Sequence, residues 1–187
     1  MLYLIPLLSV IIGYVAATFF RPKNKQNLKL LLAFSGSFLL ALTVSHLLPE
    51  VYEASNHAHE GHDHAHSPVG IFIMIGIVFQ IVLEYFSKGA EHGHVHGHET
   101  MHHIPWSLFI SLCLHALLEG LPVSHHHDLA WGIAIHHFPI AIILTTFFIN
   151  SHLNKTAIFI FMMVFASMTP LGTLLAGYLP FISEYYS

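Results

Sequence analysis

Two short segments hold the residues best suited to chemistry: His115-Ala-Leu-Leu-Glu119-Gly120 and His136-His137-Phe138-Pro139. Residues i and i+4 share one face of a helix, so His115 and Glu119 can grip a single ion. Both segments sit inside long apolar stretches, where an ionisable side chain is expensive and marks a functional site by default. Pro139 has no N–H to offer the carbonyl of Ile135, and Pro122 none to offer that of Leu118. Freed carbonyls of this kind are tolerated where they line a cavity. His115, Glu119, His136 and His137 would supply four ligands, enough for a tetrahedral site of the zinc type. The competing account is polar glue, with histidines hydrogen-bonded across a helix bundle. One histidine would suit the glue; three histidines and a glutamate on two neighbouring helices favour metal.

Other candidates are weaker. His46 and Glu50, in Ser45-His46-Leu-Leu-Pro49-Glu50, are again four apart and end an apolar stretch. They could pass metal inward, or simply cap the helix in water. Glu84 stands four residues before Lys88, where an ion pair is the simpler reading. His125, His126 and His127 form either a surface metal perch or a solvated turn. Cys113 lies two residues from His115, roughly on the opposite face, and reads as packing. Two loops are rich in imidazole: 56–68, with His57, His59, His62, His64 and His66, and 91–103, with His92, His94, His96, His98, His102 and His103. Such tracts cannot build a core. Neutral imidazole is a common ligand for zinc, copper and nickel, so metal capture on two faces of a membrane is expected.

The elements that must position these groups follow from composition. The chain has 187 residues, 55% apolar and only 9% charged, where a soluble domain carries about 25% charge. Nineteen histidines stand beside six Lys+Arg and ten Asp+Glu, so no basic face exists for nucleic acid. One cysteine excludes an internal disulfide and any multi-cysteine zinc motif. Six apolar stretches, 1–20, 30–49, 67–83, 101–123, 129–149 and 156–183, each approach the roughly 20 residues a helix needs to span about 30 Å of hydrocarbon. No barrel-type alternation appears. The expected fold is all-α: a single transmembrane domain over 1–187, an integral membrane bundle of six helices in contact with the lipid bilayer.

Arg21, Lys23, Lys25, Lys29, Lys88 and Lys155 all fall on one side of a six-span bundle. The positive-inside bias makes that side the cytoplasm and puts the N-terminus outside, in a multi-pass protein of the cell (inner) membrane. The first stretch lacks a basic region before it, so an anchor helix is expected rather than a signal peptide.

These residues resemble the ZIP (Zrt-/Irt-like) metal transporters. HLLPE at 46–50 looks like the end of that family's second helix. HALLEG at 115–120 resembles its fourth-helix pattern His-Asn-x-x-Glu/Asp-Gly, HHFP at 136–139 its fifth-helix pattern His-Glu-x-Pro-Glu, and Pro170-Leu171-Gly172 its sixth helix. The resemblance implies zinc uptake toward the cytoplasm by a two-part bundle. Ala116 replaces the usual Asn, His137 the usual Glu, and Ile140 a common second carboxylate, so one principal metal site is expected where the family can hold two. The family has eight helices; six are expected here, so the chain is a truncated carrier, a protein completed by partner copies in a homodimer, or one that binds metal without transport.

Divalent metal, most simply zinc, is thus expected as transported substrate, with iron, nickel and manganese unresolved from it and no organic cofactor. His-rich ligation disfavours magnesium and calcium. A cation diffusion facilitator, an exporter, is a poorer fit because no Asp lies within these helices. An enzyme is not expected: an intramembrane zinc hydrolase needs a metal-bound water beside a base, and H-E-x-x-H is absent, although Glu119 could serve as base.

Overall fold

In lipid, a backbone without water must satisfy its own N–H and C=O groups, so apolar runs become helices. The structure, a computed structural model, describes residues 4–20, 25–57, 69–87, 105–124 and 127–178. Its helices are α1 (Ile5–Phe20), α2 (Lys25–Leu42), α3 (Leu48–His57), α4 (Val69–Ser87), α5 (Trp106–Gly120), α6 (His127–Asn150) and α7 (Lys155–Ala176), and there is no strand among the described residues. α2 and α3 form one rod, so these helices account for the six apolar stretches. Among the described residues, five spans are long and apolar enough to cross a membrane: Gln26–Glu53, Val69–Phe86, Trp106–Ser124, Asp128–Asn150 and Lys155–Ala176. α1 is apolar but has only 16 residues, about 24 Å of helix. The fold is an all-α membrane bundle, as expected.

The α2–α3 rod is not uniform. Thr43–Leu47 is a π-helical turn, in which the Leu48 N–H bonds to the Thr43 carbonyl. Pro49 explains its place: with no N–H it cannot bond back to Ser45, and the register relaxes there. His46 lies within this turn.

α6 is the most enclosed helix, flanked by α1, α2 and α7. Its low amphipathicity follows, because apolar residues on every side suit a helix surrounded by others. Ile140, Ala141, Leu144, Phe147 and Phe148 of α6 meet Val10 of α1, Leu108, Leu112 and Ala116 of α5, and Phe161, Met162 and Phe165 of α7 in one core. Phe161 joins three helices, with ring centroids 4.9 Å from Phe109 and 4.7 Å from Phe148, both edge-on. Cys113 is buried, in keeping with a packing role. By contrast α4 packs on α5, only lightly on α3, and leaves most of its apolar surface exposed, as a helix against lipid would.

Two close approaches set the frame around the site. Gly13 of α1 lies against the Phe138 carbonyl and Ala141, beside the buried Pro139 of α6. Gly120, at the end of α5, and Gly172 of α7 bring two backbones together, and the Thr173 hydroxyl donates to the Gly120 carbonyl at 2.9 Å. α5 then tightens into a 3₁₀ turn, Leu121–Ser124. This corrects one expectation. The Leu118 carbonyl accepts from the Leu121 N–H, so Pro122 does not leave it free. Proline there ends the helix by diverting the chain into i→i+3 bonds.

Of the His-rich tracts, His57 ends α3; 58–68 and 91–103 lie outside the described residues, as do Lys88 and His125 and His126.

Candidate metal centre

α5 and α6 are not packed tightly on one another. Long polar side chains reach across the space between them, and Glu119 is the hub. Its Oε1 is 3.2 Å from His115 Nε2 and 3.9 Å from His136 Nε2. Its Oε2 accepts a hydrogen bond from His137 Nε2 at 2.7 Å. One ligand atom each from His115, Glu119 and His136 lie within 4.8 Å of one another, a spacing that fits a single ion. His136 stands nine residues into α6, about 13 Å along a helix of roughly 36 Å, which puts the cluster just short of the middle.

The four residues do not play equal parts. Side chains of His115, Glu119 and His136 are 14%, 13% and 12% exposed, whereas His137 is 1% exposed. Successive helix residues point about 100° apart, so His136 and His137 approach Glu119 from different sides, one at each carboxylate oxygen. His137 lies behind the carboxylate, its ring centroid 5.3 Å from that of Phe165, and fixes the oxygen turned away from the trio. The sequence pattern suggests a fourth ligand; in the structure His137 Nε2 bonds to Glu119 Oε2, and the trio within 4.8 Å is His115, Glu119 and His136. Three protein ligands would leave a fourth tetrahedral position open, the arrangement that lets an ion exchange ligands. Ile140, one turn beyond His136, is buried in the apolar core and brings no second carboxylate.

The chemistry of the trio suits a soft-to-borderline cation. Imidazole nitrogens and one carboxylate oxygen fit zinc and its neighbours. The outer pair is elsewhere: His46 in the π turn and Glu50 in the first turn of α3 are both exposed, and the described metal cluster contains neither. π turns recur at functional sites, which keeps His46 of interest.

Gln80 was not among the residues singled out from sequence. From α4, its Oε1 lies 3.0 Å from His115 Nδ1. One signal was present: Gln80 is a hydrogen-bonding side chain in the apolar stretch Val69–Ser87, the kind of residue that joins helices in a membrane.

Fold and site together define a polytopic membrane protein with a His/Glu cluster inside its bundle. The model of the ZIP zinc transporter family matches residues 1–105, more than half of the chain. The chain belongs to that family, a family of transporters rather than of enzymes. The matched segment includes His46 and Glu50 and ends before His115. The chain is also similar to zinc transporter SLC39A7 of Rattus norvegicus, 35% identical over 86 residues. The Mus musculus protein of that name is 38% identical over 86 residues. Each of these matches covers 41% of this chain and 18% of the relative. The Homo sapiens protein is 35% identical over 82 residues, 39% of this chain and 18% of the relative. The chain thus matches about a fifth of the length of these relatives. No solved structure matches.

Proposed function

We propose that this chain carries a divalent transition metal, zinc foremost, across a membrane toward the cytoplasm. The observation that carries the reading is the convergence of His115, Glu119 and His136 within 4.8 Å inside an apolar bundle. Two uncharged imidazoles and one carboxylate would hold a divalent ion while leaving part of its charge unneutralised, so binding is firm without being final. His137 would keep the carboxylate aimed. His46, exposed in the π turn, and Glu50, exposed one turn further on in α3, would hand metal inward from the His-rich loop at 56–68. The names of the SLC39A7 relatives support zinc as substrate. The direction rests on the cations Arg21, Lys23, Lys25, Lys29, Lys88 and Lys155 sharing one face in a six-span path, with the N-terminus outside the cell membrane.

The test is flux. Purified chain in vesicles holding a zinc-sensitive dye should admit zinc, above empty vesicles, when the Asn56 side faces out. A signal equal to that of empty vesicles would leave a metal-binding protein without transport. Topology is checked separately. In a Cys113→Ala background, single cysteines at Asn56 and Asn24 should react with an impermeant thiol reagent from opposite faces. Reaction of both from one face would end the six-span path and the direction drawn from it.

A further inference from the structure

We propose that Gln80 is a positioning residue of the metal centre, holding His115 in the tautomer and ring orientation that turn Nε2 toward the ion. This rests on His115, Glu119 and His136 being metal ligands. The Gln80 Oε1 faces His115 Nδ1 at 3.0 Å. An amide oxygen only accepts, so Nδ1 carries the proton and Nε2 keeps its lone pair. That Nε2 is the atom 3.2 Å from Glu119 Oε1. A metal-bound histidine usually donates its other ring N–H to an oxygen, which fixes the tautomer and raises ligand basicity. Here the oxygen comes from another helix.

The placement of Gln80 is specific. α4 is held to the bundle mainly along α5. Two polar bonds mark that seam: Gln80 to His115, and the Ser111 hydroxyl to the Leu83 carbonyl. Ser111 and His115 are four apart on α5, Gln80 and Leu83 three apart on α4, so each pair forms one stripe. The neighbours Phe79 and Ile81 are exposed apolar residues. The Ser111 hydroxyl donates to the Leu83 backbone, so its bond serves as the control for helix packing, whereas Gln80 acts on the site through His115.

The experiment is a cobalt(II) titration of the full chain in detergent, read by visible absorption, with zinc as competitor. Histidines of 56–68, 91–103 and 125–127 are replaced by serine throughout so that they do not compete. Gln80→Leu should weaken binding by about 10–100-fold, the usual cost of losing such a partner, and shift the cobalt bands. Gln80→Glu, which keeps an acceptor at the same reach, should return both toward the parent. Ser111→Ala should leave affinity and spectrum as they are. Gln80→Asn, one methylene shorter, should weaken binding as well and replaces Gln80→Leu if that variant does not fold. Parental binding by Gln80→Leu or Gln80→Asn, or an equal loss in Ser111→Ala, would overturn the proposal. His115→Ala separates the two ideas: parental binding in that variant defeats the metal centre itself, whereas its loss beside an unaffected Gln80→Leu defeats only the role of Gln80.

Discussion

Glu119→Ala should reduce zinc flux to that of empty vesicles and weaken cobalt binding by more than about 100-fold. The scale comes from comparison: losing even a partner that only orients a ligand costs about 10–100-fold, and Glu119 is the hub itself. Its Oε1 faces His115 and His136 and its Oε2 faces His137. Among the described residues, no other carboxylate belongs to the cluster. Without it, a divalent ion would meet only neutral imidazoles in a medium that penalises unpaired charge. Glu119→Gln, close in size, separates charge from shape and should fall nearly as far. His115→Ala and His136→Ala should each abolish flux too, since a three-ligand site has none to spare. His137→Gln should be milder, because it loses the clamp on Oε2 and no ligand; Cys113→Ala should change nothing. Flux at the parental rate in Glu119→Ala would leave the cluster as polar helix glue. Circular dichroism of each variant guards against reading a folding defect as a lost ligand.

The parts of this site that were legible from sequence are those a single helix encodes. His115 and Glu119 share a face because of the helical period, and no tertiary information is needed to pair them. The apolar stretches that place them in a membrane are equally local, and so the bundle was legible. Adjacency in sequence suggests a shared target for His136 and His137, and both do reach the Glu119 carboxylate, but at different oxygens, a distinction that needs the fold. Gln80 shows in sequence only as a polar side chain in an apolar stretch, because its partner lies 35 residues away, in the ring of His115. The Pro122 effect was misjudged because the local answer, a 3₁₀ turn that re-satisfies the Leu118 carbonyl, depends on how the chain leaves α5. The π turn at Thr43–Leu47 had a cue in Pro49, but a proline alone does not say whether a helix breaks, kinks or relaxes.

Gly172→Ala and Gly120→Ala should destabilise the bundle and, with it, the metal centre. A Cβ at Gly172 would overlap the Leu117 carbonyl oxygen, and one at Gly120 the Thr169 carbonyl oxygen. Both obstacles are backbone, so no side chain can swing aside; α5 and α7 would have to separate. Small residues at membrane helix crossings serve this close approach. Overpacking of this kind costs about 1–3 kcal/mol, and parting the helices would also strain the Thr173–Gly120 hydrogen bond, about 1 kcal/mol. Glu119 immediately precedes Gly120, so the same movement displaces the hub of the cluster. Gly36→Ala and Gly76→Ala provide the contrast, because a Cβ at either meets nothing within 4 Å. In those open helix positions alanine should be neutral or stabilising, by up to about 1 kcal/mol. Thermal unfolding in detergent should therefore show Gly120→Ala and Gly172→Ala well below the parent and Gly36→Ala and Gly76→Ala at or above it. Cobalt affinity should fall in the first pair alone. Thr173→Val removes the hydroxyl without adding bulk at the crossing, and should lower stability less than either buried-glycine variant. If Gly172→Ala melts with Gly76→Ala, the two helices are not held at glycine distance, and the α5–α7 crossing does not set the position of Glu119.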